Sequence, residues 1–407
     1  MEYKLGVLDK YPIVTKGTAI EDVPRITVEI DEAVDGRKLK QALCDALSAF
    51  PIFKTKFAFE REYKLVENSA EYVIYNVSEE KLPKYYGKST NYYPWRLSYW
   101  ENTVTFEWCH GVSDGKGGAA FFSDIINRYF GGHVDLPLCI KPGIDSFYDP
   151  NEKGIPQKKQ LSGFGRSALK IDKDLEKANL HILRTDMENI MSIAKRSDAS
   201  PATVIPPLFS KALRECMPVK KNVKASIVVD VRNTMRHFTM QNCIITKEIT
   251  YFDRFDEMPM ELVSTIYRSI LDIAVQRENI IKESTKLVKL LGMLVNIKSR
   301  VLSDIIMKPA AKIAKNMLCD FTLTYLGKVV FTPEAGAHIK DLRARSWCDM
   351  GYSNICAYDL NGVFVMNIVE NYTDKTVIPK FMEILKEYGA KTVETENRIV
   401  ERTRIEL

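Results

Sequence analysis

The sequence predicts an α/β protein built as two lobes, each a mixed β-sheet with flanking helices, and three observations carry that reading. At 407 residues the chain exceeds what one hydrophobic core usually organises. Patterns of period two, which read as strands, alternate with patterns of period 3.6, which read as helices, in both halves. Between the halves, from Gly131 to about Gly165, periodicity gives way to Gly, Pro, Asp and Lys, including Pro150-Asn151-Glu152-Lys153-Gly154. That stretch is expected to be the linker, which assigns residues 1–165 to a first lobe and 166–407 to a second.

In the first lobe, Ile26, Val28 and Ile30 alternate with polar residues as a half-buried strand does. Leu39, Ala42, Leu43, Ala46, Leu47 and Phe50 then recur at helical spacing, with Asp35 placed to cap the helix and Pro51 to end it. Trp95 to Trp100 and Thr103 to Cys109 form a hairpin around Glu101-Asn102. Val104, Phe106 and Trp108 share one face of its second strand, and the period of two carries His110 onto that face. Phe121, Phe122, Ile125, Ile126 and Tyr129 resume helical spacing, with Gly131 where a C-terminal cap belongs. A histidine therefore leaves a buried strand just where the chain turns into a helix.

The second lobe opens with a strand near Ala178 to Leu183. A helix is expected from Thr185, since Thr185-x-x-Glu188 matches a capping box. Ser200-Pro201 starts another, with proline at its first position, and Pro206-Pro207 should kink or restart it. Ile227, Val229 and Val231 mark a buried strand leading to Arg232. From Met258 to Met317 the pattern is mostly helical. Its stripe of Leu291, Leu294, Val295, Leu302, Ile305 and Ile306 runs among Lys289, Lys298, Arg300, Lys308, Lys312 and Lys315. Such a basic amphipathic stretch suits either a membrane surface or a crossover helix packed on its own lobe, and the latter is expected. Asn361-Gly362, between Tyr358 and Met366, signals a type I′ hairpin. Asp374 to Tyr388 gives a last amphipathic helix closed by Gly389.

The stretch Trp108-Cys109-His110-Gly111-Val112-Ser113-Asp114-Gly115 stands at the strand-to-helix corner. Its His110, Asp114 and Gly115 resemble the His-x-x-x-Asp-Gly motif of the chloramphenicol-acetyltransferase-like superfamily. That superfamily includes plant BAHD acyltransferases, alcohol acetyltransferases, mycobacterial polyketide-associated acyltransferases and the condensation domains of nonribosomal peptide synthetases. Condensation domains usually carry two successive histidines. Here Cys109 takes the first place, so the chain is more similar to the single-histidine branches. The segment from Pro51 to Phe57 resembles the Pro-x-Leu-Arg-x-x-Phe stretch of these proteins, with Lys54 in place of an arginine that pairs with the motif aspartate in relatives. Phe321 to Gly327 is similar to their Thr-Leu-Ser-Asn-Leu-Gly strand, with Tyr325 replacing the asparagine. A strand ending in arginine, as at Arg232, is also found in relatives. Asp349-Met350-Gly351-Tyr352 is too faint an echo of Asp-Phe-Gly-Trp-Gly to weigh.

The resemblance implies two chloramphenicol-acetyltransferase-like lobes with a tunnel between them and His110 at its centre. It implies transfer of an acyl group from a thioester to a hydroxyl or amine on a small-molecule acceptor. Acyl-CoA is then the co-substrate, no cofactor is permanently bound, and the protein acts as a monomer. Lys54 would pair with Asp114, and Thr322, Thr324 and Tyr325 would line the tunnel on its oxyanion side. Two rivals stand beside this reading. One is a condensation-domain-like enzyme that takes its acyl group from a carrier-protein thioester. The other is a catalytically silent binding protein of the same fold.

The residues support acyl transfer without the family. An attacking hydroxyl or amine must lose its proton, and histidine, with a reference pKa near neutrality, is suited to take it. A positioned general base typically contributes ~10²- to 10⁴-fold. Cys109 lies on the opposite strand face from His110, so it reads as a buried structural thiol rather than a nucleophile. Ser113 is expected to cap the following helix. Asp114 would either orient the imidazole, as in a triad, or fix the loop through a salt bridge, and the second is expected. Gly115 is expected to permit a backbone angle or a close approach barred to other residues.

Several function classes fall away. A net charge of +5 is too mild for a nucleic-acid footprint, though it suits anionic ligands. The glycines after Asp114 lack the G-x-x-x-x-G-K-[ST] pattern of a phosphate loop. The remaining histidines, His133, His181, His237 and His338, form no metal-binding pattern. Scattered cysteines, no leader and no long apolar run point to reduced thiols in the cytosol.

Overall fold

The computed structural model describes all residues except 1, 17, 19–20, 84, 135–141, 153–175, 218–221, 298, 300–301, 303–304, 307–318, 348–352, 371–374 and 406–407. The second half of the expected linker, the basic residues Lys298, Arg300, Lys308, Lys312 and Lys315, the stretch from Asp349 to Tyr352, and Asp374 lie outside the described residues.

The strands in the first half are β1 (Glu2–Lys4), β2 (Arg25–Ile30), β3 (Thr55–Phe59), β4 (Tyr63–Glu67), β5 (Ile74–Asn76), β6 (Tyr85–Tyr86), β7 (Trp95–Trp100) and β8 (Thr103–Trp108). In the second half they are β9 (Lys177–Asp186), β10 (Asn222–Asp230), β11 (Ile244–Phe252), β12 (Phe321–Lys328), β13 (Ile339–Arg345), β14 (Ser353–Leu360), β15 (Val363–Glu370), β16 (Glu394–Glu401) and β17 (Arg404–Ile405). The helices among the described residues are α1 (Val7–Val14), α2 (Gly36–Ala49), α3 (Gly115–Tyr129), α4 (Met187–Arg196) and α5 (Pro201–Cys216). They continue with α6 (Arg232–Met235), α7 (Met260–Ala274), α8 (Arg277–Val295), α9 (Pro333–His338) and α10 (Val377–Glu387). No helix among these is long and apolar enough to cross a membrane.

Two separate mixed sheets define two lobes. The first lobe holds a five-stranded sheet of order β13-β2-β8-β7-β5, and the second a seven-stranded sheet of order β11-β10-β12-β14-β15-β9-β16. Leu39, Leu43, Phe121 and Ile125 of α2 and α3 pack with Val28, Val104 and Phe106 in one core. Val204, Leu208 and Phe209 of α5 join Val263 of α7, Phe381 of α10 and the sheet residues Ile227, Leu323 and Ile355 in the other. Two late strands cross to partners in the first half of the chain. β13, late in the chain, pairs antiparallel with β2 at the edge of the first-lobe sheet, Arg345 opposite Arg25. β17 likewise pairs with β6. The lobes therefore interlock and are not two beads in sequence.

Many local expectations hold for the physical reasons given. The Asp35 side chain accepts hydrogen bonds from the backbone N–H groups of Arg37 and Lys38 and so caps α2. Asn361 and Gly362 take φ of 52° and 85° in the β14–β15 hairpin, the positive pair a type I′ turn requires. Gly389, at φ 118°, follows the end of α10.

Other expectations fail. Thr185 is a buried residue of β9, so α4 starts at Met187 and no capping box forms there; pairing with β15 keeps the chain extended to Asp186. Pro206 and Pro207 lie inside a continuous α5, both buried. The wholly buried face of Val204, Ile205, Leu208 and Phe209 outweighs the missing donors. α8 packs on its own lobe over only part of its length: Ile280 joins Val231, Met235 and Ile245 of the second lobe, whereas Val288, Leu291, Leu294 and Val295 join the first-lobe core, and Asn296 accepts a hydrogen bond from Lys10 of α1. Leu302, Ile305 and Ile306 are exposed.

Helix α3 approaches β8 closely at Gly118, where an added Cβ would stand 2.2 Å from Cε2 of Trp108. That indole has nowhere to go. It is 1% exposed, stacks on Phe106 with centroids 5.3 Å apart, and donates to the Ser113 carbonyl at 3.1 Å. Gly118→Ala should destabilise the protein by about 1–3 kcal/mol through overpacking, read as a lower urea midpoint at unchanged slope.

Candidate active site: a histidine between the lobes

His110 follows the end of β8 by two residues, and α3 begins five residues after it. Its side chain is 23% exposed and faces a cavity of about 300 Å³ between the lobes. Strand alternation builds the far wall. In β12, Phe321 and Leu323 point into the second-lobe core, which leaves Thr322 and Thr324 on the cavity face. Tyr325 also lines the cavity, and burial pushes its phenol up, with Asp359 adding to the effect. The expected tunnel residues are thus brought together with His110.

Asp114 makes the contacts expected of a loop-fixing salt bridge and none to the imidazole. It is 1% exposed and caps α3, accepting from the Gly117 N–H at 3.0 Å through Oδ1. Its Oδ2 accepts from Nη2 of Arg232 at 2.8 Å and from the Cys243 N–H at 3.1 Å. Arg232 stands just beyond the end of β10, so this ion pair joins the motif to the other lobe. Its guanidinium also donates to Asp230 and to the carbonyls of Thr239 and Gln241. Burial disfavours the Arg232 charge, but Asp114 and Asp230 more than offset this and hold the guanidinium firmly protonated. Lys116 adds a second tie, at 2.6 Å to Oδ2 of Asp230.

The expected partner, Lys54, is elsewhere. It is exposed at the end of the short turn Pro51–Phe53, beside Cys44 and Tyr72 on the first lobe, and it is not within ion-pair distance of Asp114. Ser113 does not cap α3; it is fully buried and donates to the Met240 carbonyl. Gly115 has no left-handed backbone, and an added Cβ would meet only Leu326 at an ordinary 3.6 Å. The close approaches fall at Gly117 and Gly118 instead, against Ser113 and Trp108. Cys109 is fully buried, and loss of solvent pushes its thiol up to about 12, which leaves it a protonated structural group.

Three contributors lay outside the sequence reading. Asp22 reaches to 3.8 Å from Nε2 of His110 through Oδ2. It is held there by the Ser346 hydroxyl at 2.8 Å and the Trp347 N–H at 2.7 Å. That is ion-pair range and beyond a hydrogen bond, and neither imidazole nitrogen hydrogen-bonds a described residue. The expected tautomer-fixing bond is therefore not made by any described residue. Asn242 donates through Nδ2 to the His110 carbonyl at 2.6 Å and to Oδ1 of Asp9 at 2.7 Å. Asp9 also takes the N–H groups of Asn242 and Gly6, at 3.1 and 2.9 Å. A buried carboxyl on α1 thus anchors the amide that holds the histidine's backbone. No local pattern marks these three, since each acts through a long-range contact.

Two outcomes follow. Asp114→Ala strips a buried guanidinium of its partner and should cost ~3–5 kcal/mol, whereas exposed Lys54→Ala should stay within about 0.5 kcal/mol; thermal melts of both variants check the pairing. Burial pushes the Asp9 carboxyl up to about 7 despite its lowering hydrogen bonds. A folded-state pKa above the unfolded one gives stability that is complete below about pH 4 and fades as pH rises through about 7. Asp9→Asn should therefore gain stability relative to the parent as pH rises from about 5 to 8, measured as the difference in urea midpoints.

No family model matches the sequence, and no curated protein matches it closely enough to count. Solved structures do match. TRI101 of F. graminearum, complexed with coenzyme A and T-2 mycotoxin, is 13% identical with a TM-score of 0.64, covering 97% of this chain and 99% of that one. The condensation domain of the monacolin K polyketide synthase MokA is also 13% identical with a TM-score of 0.64, over 95% and 97%. Polyketide synthase associated protein 5 of Mycobacterium tuberculosis is 10% identical with a TM-score of 0.63, over 95% and 96%. With two interlocked mixed sheets and nearly full coverage in each comparison, this chain has the two-lobed chloramphenicol-acetyltransferase-like fold.

Proposed function

We propose that the protein transfers an acyl group from a thioester, acyl-CoA in the first instance, to a hydroxyl or amine of a small-molecule acceptor, with His110 as the general base. The observation that carries this reading is the His110 imidazole facing an interlobe cavity with both nitrogens uncommitted to any described hydrogen bond. The base removes the acceptor's proton as its oxygen or nitrogen attacks the thioester carbonyl. The tetrahedral intermediate then expels the thiolate, and the imidazolium returns the proton to that sulfur. Asp22 stands 3.8 Å from the Nε2 of this base. The Thr322 and Thr324 hydroxyls stand on the cavity wall as donors for the developing oxyanion. No acyl-enzyme is needed, in keeping with the buried thiol of Cys109.

Support for the donor comes from TRI101, which has this fold and was crystallised with coenzyme A. The equally similar condensation domain favours a second reading, a carrier-protein thioester delivered to the same cavity. A thiol-release assay with acyl-CoA donors and a panel of alcohols and amines tests the first directly. His110→Ala should reduce turnover by ~10²- to 10⁴-fold with little change in donor binding or melting temperature. Retention of most activity by His110→Ala would refute the mechanism.

A further inference from the structure

Beside the His110 cavity lies a second one, of about 260 Å³, whose walls are charged where the first is apolar. Six arginines line it: Arg25, Arg96, Arg343, Arg345, Arg398 and Arg402. The carboxylates near them are Glu79 and Glu401 on the wall, Glu107 beneath, Asp341 beside Arg343, and Glu396, which pairs with Arg398.

Much of this charge is already matched. Arg25 donates to Glu107 and Glu79, and Arg96 donates to the other oxygen of Glu107. Arg345 is different. It is 7% exposed; its buried Nη2 has no hydrogen-bond partner among the described residues and stands in ion-pair range, 3.6 Å, of Oε1 of Glu79, a carboxylate already engaged by Arg25. Arg343, 9% exposed, has only a 3.8 Å approach from Nε to Asp341 among described carboxylates. Buried guanidinium groups are ordinarily saturated with acceptors, because an unsatisfied buried charge is costly. Burial and then repulsion from Arg25 depress the Arg345 pKa to about 10, and the attraction of Glu79 and Glu107 offsets this only in part.

Position gives the cluster a purpose. Arg25 and Arg345 border both cavities, and Arg345 precedes Ser346 and Trp347, which hold Asp22 against His110. We propose that the arginine-lined cavity is an anion site which takes a phosphate or carboxylate group of a substrate whose reacting end lies at His110. Guanidinium forks suit both oxyanions through paired charge-assisted hydrogen bonds. That the anion belongs to a transfer substrate rests on the acyltransfer reading. That the cavity binds an oxyanion does not.

The test separates the two. Melting temperature is followed in inorganic phosphate and in acetate, each against chloride at matched ionic strength, for the parent, His110→Ala, Arg345→Met and Arg398→Gln. One of the oxyanions should stabilise the parent and His110→Ala alike, since this binding needs no turnover. Arg345→Met should bind that anion about 10- to 100-fold more weakly, the loss that one charge-assisted hydrogen bond represents. Without anion, Arg345→Met should melt close to the parent, because it removes a buried charge whose 3.6 Å ion pair is with a Glu79 that keeps Arg25. Arg398→Gln, on the more exposed wall, should show a smaller loss and serves if Arg345→Met does not fold. No stabilisation of the parent above chloride overturns the proposal, as does an undiminished response in Arg345→Met and Arg398→Gln. In the transfer assay, a higher KM for acyl-CoA in Arg345→Met would assign the anion to the donor. A higher KM confined to phosphorylated or carboxylated acceptors would assign it to the acceptor. If neither KM changes, the anion does not belong to a transfer substrate.

Discussion

The Asp114–Arg232 ion pair is the interaction on which the site depends. Both groups are almost fully buried, and each oxygen of the aspartate is committed: one to the first turn of α3, the other to Arg232 and the Cys243 N–H. A buried pair of this kind adds little net stability over an apolar alternative, because desolvation offsets much of the attraction. What it contributes here is geometry. It fixes the turn that carries His110 and at the same time locks the end of β10 to the first lobe, so the histidine's position and the gap between the lobes are set together.

A second set of contacts works in the same direction from the opposite side. Asn242 ties the His110 carbonyl to Asp9, and its own carbonyl accepts the Ile144 N–H at 2.8 Å. β13 crosses from the second half of the chain to the first-lobe sheet and brings Ser346 and Trp347 to bear on Asp22. α8 crosses as well, packing on α1. The cavity is thus bounded by elements that each belong to one lobe in sequence and touch the other in space. Rigid interlocking of this kind suits a reaction that needs two substrates held in line, where orientation supplies a large share of the rate. The two cavities meeting at Arg25 and Arg345 extend the same logic: one wall presents apolar surface and His110, the next presents arginines that carboxylates match only in part.

The sequence by itself determined the two-lobed α/β class, the β7–β8 hairpin, the capped α2 and the Asn361-Gly362 turn, because each rests on period or on turn chemistry within a few residues. His110 was legible for the same reason: strand alternation and a turn signal converge on it. The tertiary structure decided the rest. Lys54 carries the right charge in the right local segment, yet it ends exposed, and Arg232, 118 residues from Asp114 in sequence, supplies the pair. Thr185 satisfies a capping pattern but is held extended by its β15 neighbour, and Pro206-Pro207 stay helical because the surrounding face is wholly buried. Asp22, Asp9, Asn242 and Arg345 left no local signal at all. Their roles come from partners far away in sequence, and an electrostatic contact or a desolvated charge exists only once the chain has brought the groups together.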